Sequence, residues 1–247
     1  MSLLQLEDVS KKFGQVVVGK GISFQLEQGD AVGIVGPNGA GKTSLFAMIS
    51  GDIAPDSGTI YFDGHSVAHL SAAKRARAGI GRTYQIPRPF EHMTVFENAL
   101  VGAQQGARAR RQKSYALAYD ALERTGLSEM ANRQAGSLTL LHRKRLELAR
   151  ALATSPRVLL LDEIAGGLTD LEVNELTLII RGLRAEGIAV VWIEHVVRAL
   201  VNTVDRLLCL ASGVIVADGE PKEVLASDAV RAVYLGGKAV GIAVPHD

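Results

Sequence analysis

The pattern of apolar and polar positions predicts two kinds of strand. Apolar and polar residues alternate over 4–9 and 21–27, as they do in strands with one buried and one solvated face. Residues 31–35, 158–161 and 188–193 are instead apolar without interruption. Continuous apolar runs of strand length are typical of parallel strands that are covered on both faces. We therefore expect an antiparallel β subdomain near the N-terminus and a mixed core sheet with parallel strands.

The middle of the chain has a different pattern. Residues 80–85 predict a strand, which the prolines at 87 and 89 end because proline cannot continue a hydrogen-bonded ladder. Thr94 and Glu97 match a capping box, and from there to about Thr154 the pattern is helical and poor in strand signals. These features predict an α/β fold in which residues 1–247 form a single domain, with an inserted α-helical subdomain at about 86–154.

Composition narrows the functional classes. The 247 residues include 27 Lys and Arg and 26 Asp and Glu, and this formal net charge of +1 argues against a nucleic-acid partner. The apolar runs are too short to span a bilayer, and the acidic positions 7 and 8 are unlike a signal peptide, so we expect a cytoplasmic protein. Cys209 is the only cysteine, and its apolar surroundings predict a buried small hydrophobe. A solvated helix face explains one basic cluster better than a nucleic-acid surface does; the cluster is Arg108, Arg110, Arg111 and Lys113.

A glycine-rich segment carries the strongest chemical signal. It fits G-x-x-x-x-G-K-[ST] between a predicted strand and a predicted helix at 43–50, and its residues are Gly36, Pro37, Asn38, Gly39, Ala40, Gly41, Lys42 and Thr43. Glycines allow several backbone N–H groups to point at one phosphate, and the helix N-terminus adds partial positive charge. Lys42 would bind the β- and γ-phosphates, and Thr43 would ligate Mg²⁺. The alternative is a glycine-rich turn without a ligand; we predict a nucleoside triphosphate site.

Further candidates lie at predicted strand ends and in one loop. Asp162 follows a buried strand at the edge where open α/β sheets bind ligands, and such an Asp holds Mg²⁺ in P-loop nucleotidases. Glu163 is placed to orient or deprotonate an attacking water. His195 alone would more often be structural, but its position at a neighbouring strand end favours a role in catalysis. Phe13 is either a core residue or a platform for adenine.

Taken together, these features resemble the ATP-binding subunit of an ATP-binding-cassette (ABC) transporter over nearly the whole chain. The general marks are the phosphate loop, Gln85 after a strand, the basic helix at 143–152, the acidic strand end with Glu163, and His195. Residues 81–90, Gly-Arg-Thr-Tyr-Gln-Ile-Pro-Arg-Pro-Phe, are similar to the ATPases of branched-chain amino-acid importers, as are 93–98, 193–195 and 233–236. The resemblance implies a P-loop NTPase cassette that hydrolyses ATP with Mg²⁺.

The resemblance also implies roles for individual residues. Glu163 would be the catalytic base, His195 would contact the γ-phosphate, and Gln85 would sense the γ-phosphate and Mg²⁺. Ser44 would touch the α-phosphate and Phe13 would stack on adenine. The segment after Gln85 would receive the coupling helix of a transmembrane permease subunit at the inner face of the cell membrane. A separate periplasmic or extracellular protein would bind the substrate.

The chain departs from the family at the signature loop, which in a head-to-tail cassette dimer contacts the nucleotide of the partner. The family has Leu-Ser-Gly-Gly-Gln, or Leu-Ser-Tyr-Gly-Gln in this subfamily, where this chain has Leu138, Thr139, Leu140, Leu141 and His142. Thr139 still offers a hydroxyl, but we expect Leu141 to crowd the approach to phosphate. The favoured assembly is a heterodimer with a second ABC subunit, in which the working ATP is held by this chain's own motifs. A homodimer is the alternative.

Other functions stay open at the level of sequence. Another transporter, such as a urea or amide importer or a lipid exporter, is one alternative, and residues 86–90 are the main evidence against the exporter. A soluble ABC ATPase acting on ribosomes or DNA usually carries two cassettes or a long coiled coil. A P-loop GTPase would carry an Asn-Lys-x-Asp motif, which is absent from the sequence. The substrate itself is selected by other subunits.

Overall fold

The computed structural model describes residues 2–107 and 110–235. Its strands are β1 (Leu4–Phe13), β2 (Val16–Leu26), β3 (Ala31–Val35), β4 (Ser57–Phe62), β5 (His65–Ser66), β6 (Ile80–Arg82), β7 (Val158–Asp162), β8 (Ala189–Ile193), β9 (Arg206–Ala211) and β10 (Val214–Gly219). Its α-helices are α1 (Lys42–Ser50), α2 (Ala72–Ala78), α3 (Val95–Val101), α4 (Arg111–Arg124), α5 (Leu140–Leu152), α6 (Asp170–Ala185), α7 (Val197–Val201), α8 (Pro221–Ala226) and α9 (Asp228–Leu235). A π-helical turn lies at Gly102–Gly106, and 3₁₀ turns lie at Ser128–Met130 and Ala135–Ser137.

A six-stranded sheet forms the centre of the molecule, in the order β10-β9-β3-β8-β7-β6. The neighbours from β9 to β6 are parallel, and β10 is antiparallel to β9. Every residue of β3, β7 and β8 is buried, which explains their uninterrupted apolar sequences. The parallel arrangement brings the carboxyl ends of β3, β7 and β8 to one edge of the sheet.

Side chains alternate between two apolar cores on the two faces of this sheet. Leu159, Leu161 and Trp192 face a core that includes residues of α5 and α6. Leu160 and Val191 face the other core, which includes α1 and the first sheet of the chain. That first sheet is four-stranded and antiparallel, in the order β2-β1-β4-β5. The α/β fold predicted from the sequence, with its antiparallel and mixed sheets, is confirmed.

The structure moves several predicted strand ends. β6 ends at Arg82 rather than at residue 85, because the N–H of Asp162 bonds to the side-chain hydroxyl of Thr83 at 3.2 Å instead of a main-chain carbonyl. Phe13 was predicted in a loop but is the last residue of β1, where it pairs with Val16 across a tight turn. β8 ends at residue 193, where the apolar run of the sequence also ends.

Helices and short turns fill the chain between β6 and β7. Thr94 caps α3 through the predicted capping box, and Thr139 caps α5. The basic cluster lies at the exposed start of α4, except for Arg108, which is outside the described residues, as is residue 236 of the C-terminal motif. Within the described part of the chain, no helix is both long and apolar enough to cross a membrane.

Candidate functional site

The phosphate loop connects β3 to α1 and depends on glycine at two positions. Gly36 has φ +151°, and a Cβ there would lie 2.0 Å from the carbonyl oxygen of Leu210. Gly41 has φ +103°, and a Cβ would lie 2.0 Å from the carbonyl oxygen of Val18. A side chain at either position would collide with backbone, so these glycines let the loop pack tightly against β9 and β2. The loop leads directly into the N-terminus of α1.

Lys42, the first residue of α1, folds back over this loop. Its Nζ donates to the carbonyl oxygens of Gly36 at 2.7 Å and Pro37 at 3.1 Å. Burial lowers the pKa of Lys42, while the carboxylates of Glu163 and Asp162 act in the opposite direction. The ammonium group is therefore held among loop backbone and acidic side chains, where a phosphate tail can take over its hydrogen bonds.

The remaining loop residues are accessible to a ligand to different degrees. Asn38, Gly39 and Thr43 are exposed, Pro37 and Ser44 are half-buried, and Ala40 is buried. The Thr43 hydroxyl lies in the first turn of α1, where an oxygen ligand for a metal is expected.

Asp162 closes β7 and is almost fully buried, with 2% of its surface exposed. Its Oδ2 accepts a hydrogen bond from the Arg82 guanidinium at 3.3 Å. Its Oδ1 is buried without a hydrogen-bond partner among the described residues. Burial raises the pKa of Asp162, and Arg82 counteracts this effect. An unsatisfied buried carboxylate oxygen fits a hard cation such as Mg²⁺, which prefers oxygen ligands.

Glu163 is the meeting point of the predicted catalytic residues. Its Oε1 lies 2.8 Å from Nε2 of His195, and its Oε2 accepts a hydrogen bond from the side-chain amide of Gln85. Glu163 has φ +48°, a left-handed conformation that costs a residue with a Cβ about 1–2 kcal/mol. Backbone strain of this kind is often found at functional sites. The structure thus brings together three residues that are distant in sequence.

The sequence did not reveal Arg82 as a site residue, although it lies in a recognised motif. Its guanidinium bonds to Asp52 at 2.8 Å and to the Ser50 hydroxyl at 3.0 Å, as well as to Asp162. It lies over the rings of Phe46 and Tyr84, with centroid distances of 6.0 and 5.0 Å. An arginine at the end of an apolar, buried strand was the available signal, because a buried cation needs a carboxylate nearby.

Phe13 and Thr139 lie on other elements than the residues around Glu163. Phe13 is 49% exposed at the end of β1, with Nζ of Lys11 5.3 Å from its ring centroid, so it is not a core residue. Thr139 is exposed, and its hydroxyl lies 2.8 Å from Nδ1 of His142 within the first turn of α5.

The two leucines of the signature loop differ in orientation from our expectation. Leu141, predicted to crowd a phosphate, is only 8% exposed and belongs to the buried residues of α5. Leu140 is 44% exposed. It lies against Gly167, where an added Cβ would be 3.3 Å from its Cδ2. The helical phase of α5 turns Leu141 inwards, so any steric obstruction at this helix start comes from Leu140.

The fold and these contacts define a P-loop nucleotide-binding protein, in which a glycine-rich loop, a lysine and strand-end carboxylates share one sheet edge. The sequence model described as ABC transporter matches residues 19–166, more than half of the chain. The chain is 35% identical to the high-affinity branched-chain amino acid transport ATP-binding protein BraF of Pseudomonas aeruginosa, over 95% of this chain and 98% of that protein. It is 36% identical to the lipopolysaccharide export system ATP-binding protein LptB of Acidithiobacillus ferridurans, over 95% of this chain and 97% of that protein.

A solved structure agrees with these relatives. The ADP conformation of an ATP-binding cassette of an ABC transporter is 31% identical to this chain, with a TM-score of 0.86 over 96% of this chain and 99% of the other. The chain belongs to the ABC transporter family. It is an ATP-binding subunit of such a transporter, and the reaction of this class of subunit is the hydrolysis of ATP. ABC cassettes act as dimers with transmembrane permease subunits.

Proposed function

We propose that the chain is a single ATP-binding domain that energises an importer of branched-chain or related amino acids. ATP hydrolysis is supported above all by one observation: Glu163 contacts both Gln85 and His195, next to Lys42 and Asp162. The substrate class rests on the importer relatives, BraF among them. LptB supports a second candidate, a lipid exporter.

The geometry suggests an order of events for hydrolysis. Lys42 would leave the loop carbonyls and bind the β- and γ-phosphates, while the α1 N-terminus and Ser44 hold the phosphate tail. His195 would exchange its contact with Glu163 for one with the γ-phosphate. The freed Glu163 oxygen would then accept a proton from water as the water oxygen attacks phosphorus and the bond to ADP breaks. Gln85 would keep the other carboxylate oxygen in place.

Mg²⁺ and adenine have candidate partners in this arrangement. Thr43, Asp162 and Gln85 would hold Mg²⁺, which when bound offsets the charge that develops on the β- and γ-phosphates. The Oδ1 of Asp162 supports this assignment, because it has no hydrogen-bond partner in the part of the chain that the structure describes. The exposed ring of Phe13 is available to stack on adenine.

A head-to-tail heterodimer with a second ABC subunit explains the altered signature loop. In such a dimer, Thr139 and Leu140 would face the nucleotide of the partner, whereas this chain's own ATP would depend on the partner's signature loop. An exposed leucine beside Gly167 would obstruct the partner's phosphate more than a glycine would. The working site would therefore be the one built from Lys42 and Glu163.

A cleft beside the catalytic residues is the proposed contact with the permease. It has a volume of about 300 Å³, and its lining includes Arg82, Tyr84 and Arg150 of α5. Ile86 and Phe90, in the segment after Gln85, are exposed by 67% and 44%. The Arg150 guanidinium, which lines the cleft, lies 5.0 Å from the ring centroid of Phe90, and exposed apolar side chains beside a groove suit a docking helix. This contact would place the chain at the inner face of the cell membrane, with a separate substrate-binding protein acting through the permease.

The deciding experiment compares ATP turnover by the chain alone and after mixing with a second ABC cassette from the same organism. We expect turnover in the mixture, loss of that turnover in Glu163→Gln, and little loss from the equivalent change in the partner. Brisk turnover by the chain alone would refute the heterodimer. Reconstitution with the permease then tests the substrate: uptake of branched-chain amino acids supports the importer, and ATP-driven extraction of lipid from the membrane supports the exporter.

A second experiment separates the two signature leucines. Leu140→Gly should increase nucleotide binding at the partner's site by about tenfold, because it removes the exposed side chain from the helix start. Leu141→Gly should mainly lower stability, because it opens a cavity in the core. Equilibrium binding of a fluorescent ATP analogue and thermal melting distinguish these effects; greater binding in Leu141→Gly alone would contradict the assignment.

A further inference from the structure

Glu194 is a buried carboxylate that the reaction outlined above does not use. The residue directly follows β8, and 1% of its surface is exposed. Charged side chains are rarely buried so completely unless they are paired or hydrogen-bonded, because they lose the stabilisation of water. Its burial therefore needs an explanation in its contacts.

Both oxygens of Glu194 accept hydrogen bonds from N–H groups. Oε1 accepts from the backbone N–H of Ala165 at 2.6 Å and from the indole N–H of Trp192 at 3.3 Å. Oε2 accepts from the backbone N–H groups of His195 at 3.1 Å and Val196 at 3.5 Å. Every partner is a donor, which suits an ionised carboxylate. Burial raises the pKa of Glu194, and these N–H groups act in the opposite direction.

The bond to Ala165 fixes the turn that carries the catalytic carboxylate. Glu163 starts this turn in its left-handed conformation. Its N–H donates to the carbonyl of Ile193 at 2.9 Å, and its carbonyl accepts from the N–H of Gly166 at 3.3 Å. Glu194 adds a charge-assisted bond at the next part of the turn, and its other oxygen bonds to the backbone beside the His195 imidazole. One side chain thus holds both catalytic segments.

Lys144 adds a second contact to the same turn. It lies in α5, is 4% exposed, and its Nζ donates to the carbonyl oxygen of Glu163 at 3.3 Å. Burial lowers the pKa of Lys144, while the charges of Glu194 and Glu163 raise it. α5 begins directly after Thr139 of the signature loop. Lys144 therefore connects the helix that follows the signature loop with the turn that starts at Glu163.

We propose that Glu194 is a positioning residue for ATP hydrolysis, and that together with Lys144 it holds the Glu163 turn and the His195 backbone in their working geometry. Glu194 makes and breaks no bond of the reaction. A displacement of about 1 Å at a reacting group can slow an enzyme about 10²-fold, so such fixing bears directly on the rate. The proposal rests on the assignment of Glu163 and His195 to catalysis.

Glu194→Gln tests the proposal, because glutamine is close to glutamate in size but its amide NH₂ group would face N–H donors instead of accepting from them. In the assembly that hydrolyses ATP, we expect kcat to fall about tenfold or more. The KM for ATP and the Kd of a fluorescent ATP analogue should stay within about threefold of the wild-type values, because Glu194 makes its hydrogen bonds to segments outside the phosphate loop. Lys144→Met should also lower kcat, and Lys144→Arg should restore part of it.

Hydrogen exchange of the chain alone supplies a readout that needs no partner. In Glu194→Gln, the amides of Ala165 and His195 should exchange about tenfold faster, because their acceptor is weakened. The control is Leu176→Ala, a fully buried position of α6 outside this network. It should lower the melting temperature but leave both kcat and the exchange of these amides unchanged.

Several results would overturn the proposal. The first is a Glu194→Gln variant with unchanged kcat and unchanged hydrogen exchange of the Ala165 and His195 amides. The second is a rise in KM for ATP in that variant without loss of kcat. The third is an equal loss of kcat in Leu176→Ala when both variants have the same melting temperature. If no assembly hydrolyses ATP, the proposed function fails, and the exchange experiment still decides whether Glu194 holds the turn. If Glu194→Gln does not fold, Glu194→Asp and Lys144→Met take its place with the same expected direction.

Discussion

Replacing Arg82 with methionine should destabilise the folded protein because it leaves the buried carboxylate of Asp162 without its ion-pair partner. The side chains of Arg82 and Asp162 are 8% and 3% exposed, and their charged groups are 3.3 Å apart. Methionine fills a similar volume but leaves Asp162 without its cation. Breaking a buried ion pair by removing one partner costs about 3–5 kcal/mol. Arg82 also pairs with the more exposed Asp52 at 2.8 Å, and the variant loses this contact as well. We therefore expect the loss of stability to be no smaller than this range.

This cost should be visible in thermal melting and should depend on pH. A loss of about 3 kcal/mol corresponds to roughly 6–12 °C in a domain of this size. Burial raises the folded-state pKa of Asp162, and Arg82 opposes this, so Arg82→Met raises that pKa further. The charged carboxylate destabilises the variant above its folded-state pKa, and protonation relieves the penalty as the pH falls. The difference in melting temperature between the variant and the wild type should therefore narrow as the pH is lowered.

The fluorescence of Trp192 reports thermal unfolding in this experiment, since it is the only tryptophan in the sequence and is fully buried. Arg157→Met is the matched control, because Arg157 pairs with Asp63 at the surface, and we expect a change below about 1 kcal/mol. Asp162→Asn in the Arg82→Met background should recover part of the lost stability. An Arg82→Met melting temperature within about 2 °C of the wild type would show that Asp162 does not depend on this cation. Additivity of the two changes within about 0.5 kcal/mol would show the same.

Two other predictions concern single residues. His195→Ala should keep the Kd for MgATP within about threefold and slow turnover about 10²-fold, because in the proposed reaction the imidazole contacts the γ-phosphate during hydrolysis and adds little to ground-state binding. Single-turnover kinetics measure this, and unchanged turnover would make His195 structural. Burial raises the pKa of Cys209 to about 11, so at pH 8 the folded protein should react with a thiol reagent about 100-fold more slowly than the unfolded chain. Equal rates in absorbance assays would show that Cys209 is accessible.

Local sequence patterns were sufficient for the phosphate loop and for the two kinds of strand. The loop depends on glycines, a lysine and a threonine that are neighbours in the chain, and its conformation follows from backbone geometry over a few residues. The buried strands β3, β7 and β8 were recognisable because both faces are covered, which leaves no polar alternation. Strand ends were less predictable, as Thr83 shows, because its side-chain hydroxyl accepts the bond from the N–H of Asp162, a donor that a strand distant in sequence contributes.

The contacts within the site depend on the order of strands in the sheet. β8 lies between β3 and β7, and β6 lies beyond β7, although these strands follow a different order along the chain. For that reason Gln85 reaches Glu163 across 78 positions of sequence. The direction of Leu140 and Leu141 likewise follows from how α5 packs, which a linear motif does not specify.

The sequence by itself therefore determined the fold class and the nucleotide loop, because short-range patterns encode both, and the resemblance to the family supplied the candidate catalytic residues. Only the tertiary structure decided which of these side chains meet, that Arg82 pairs with Asp162, and that Glu194 accepts hydrogen bonds from the turn after Glu163 and from the backbone of His195. The physical reason is burial: a charged group removed from water must find partners, and those partners come from elements that only folding brings together.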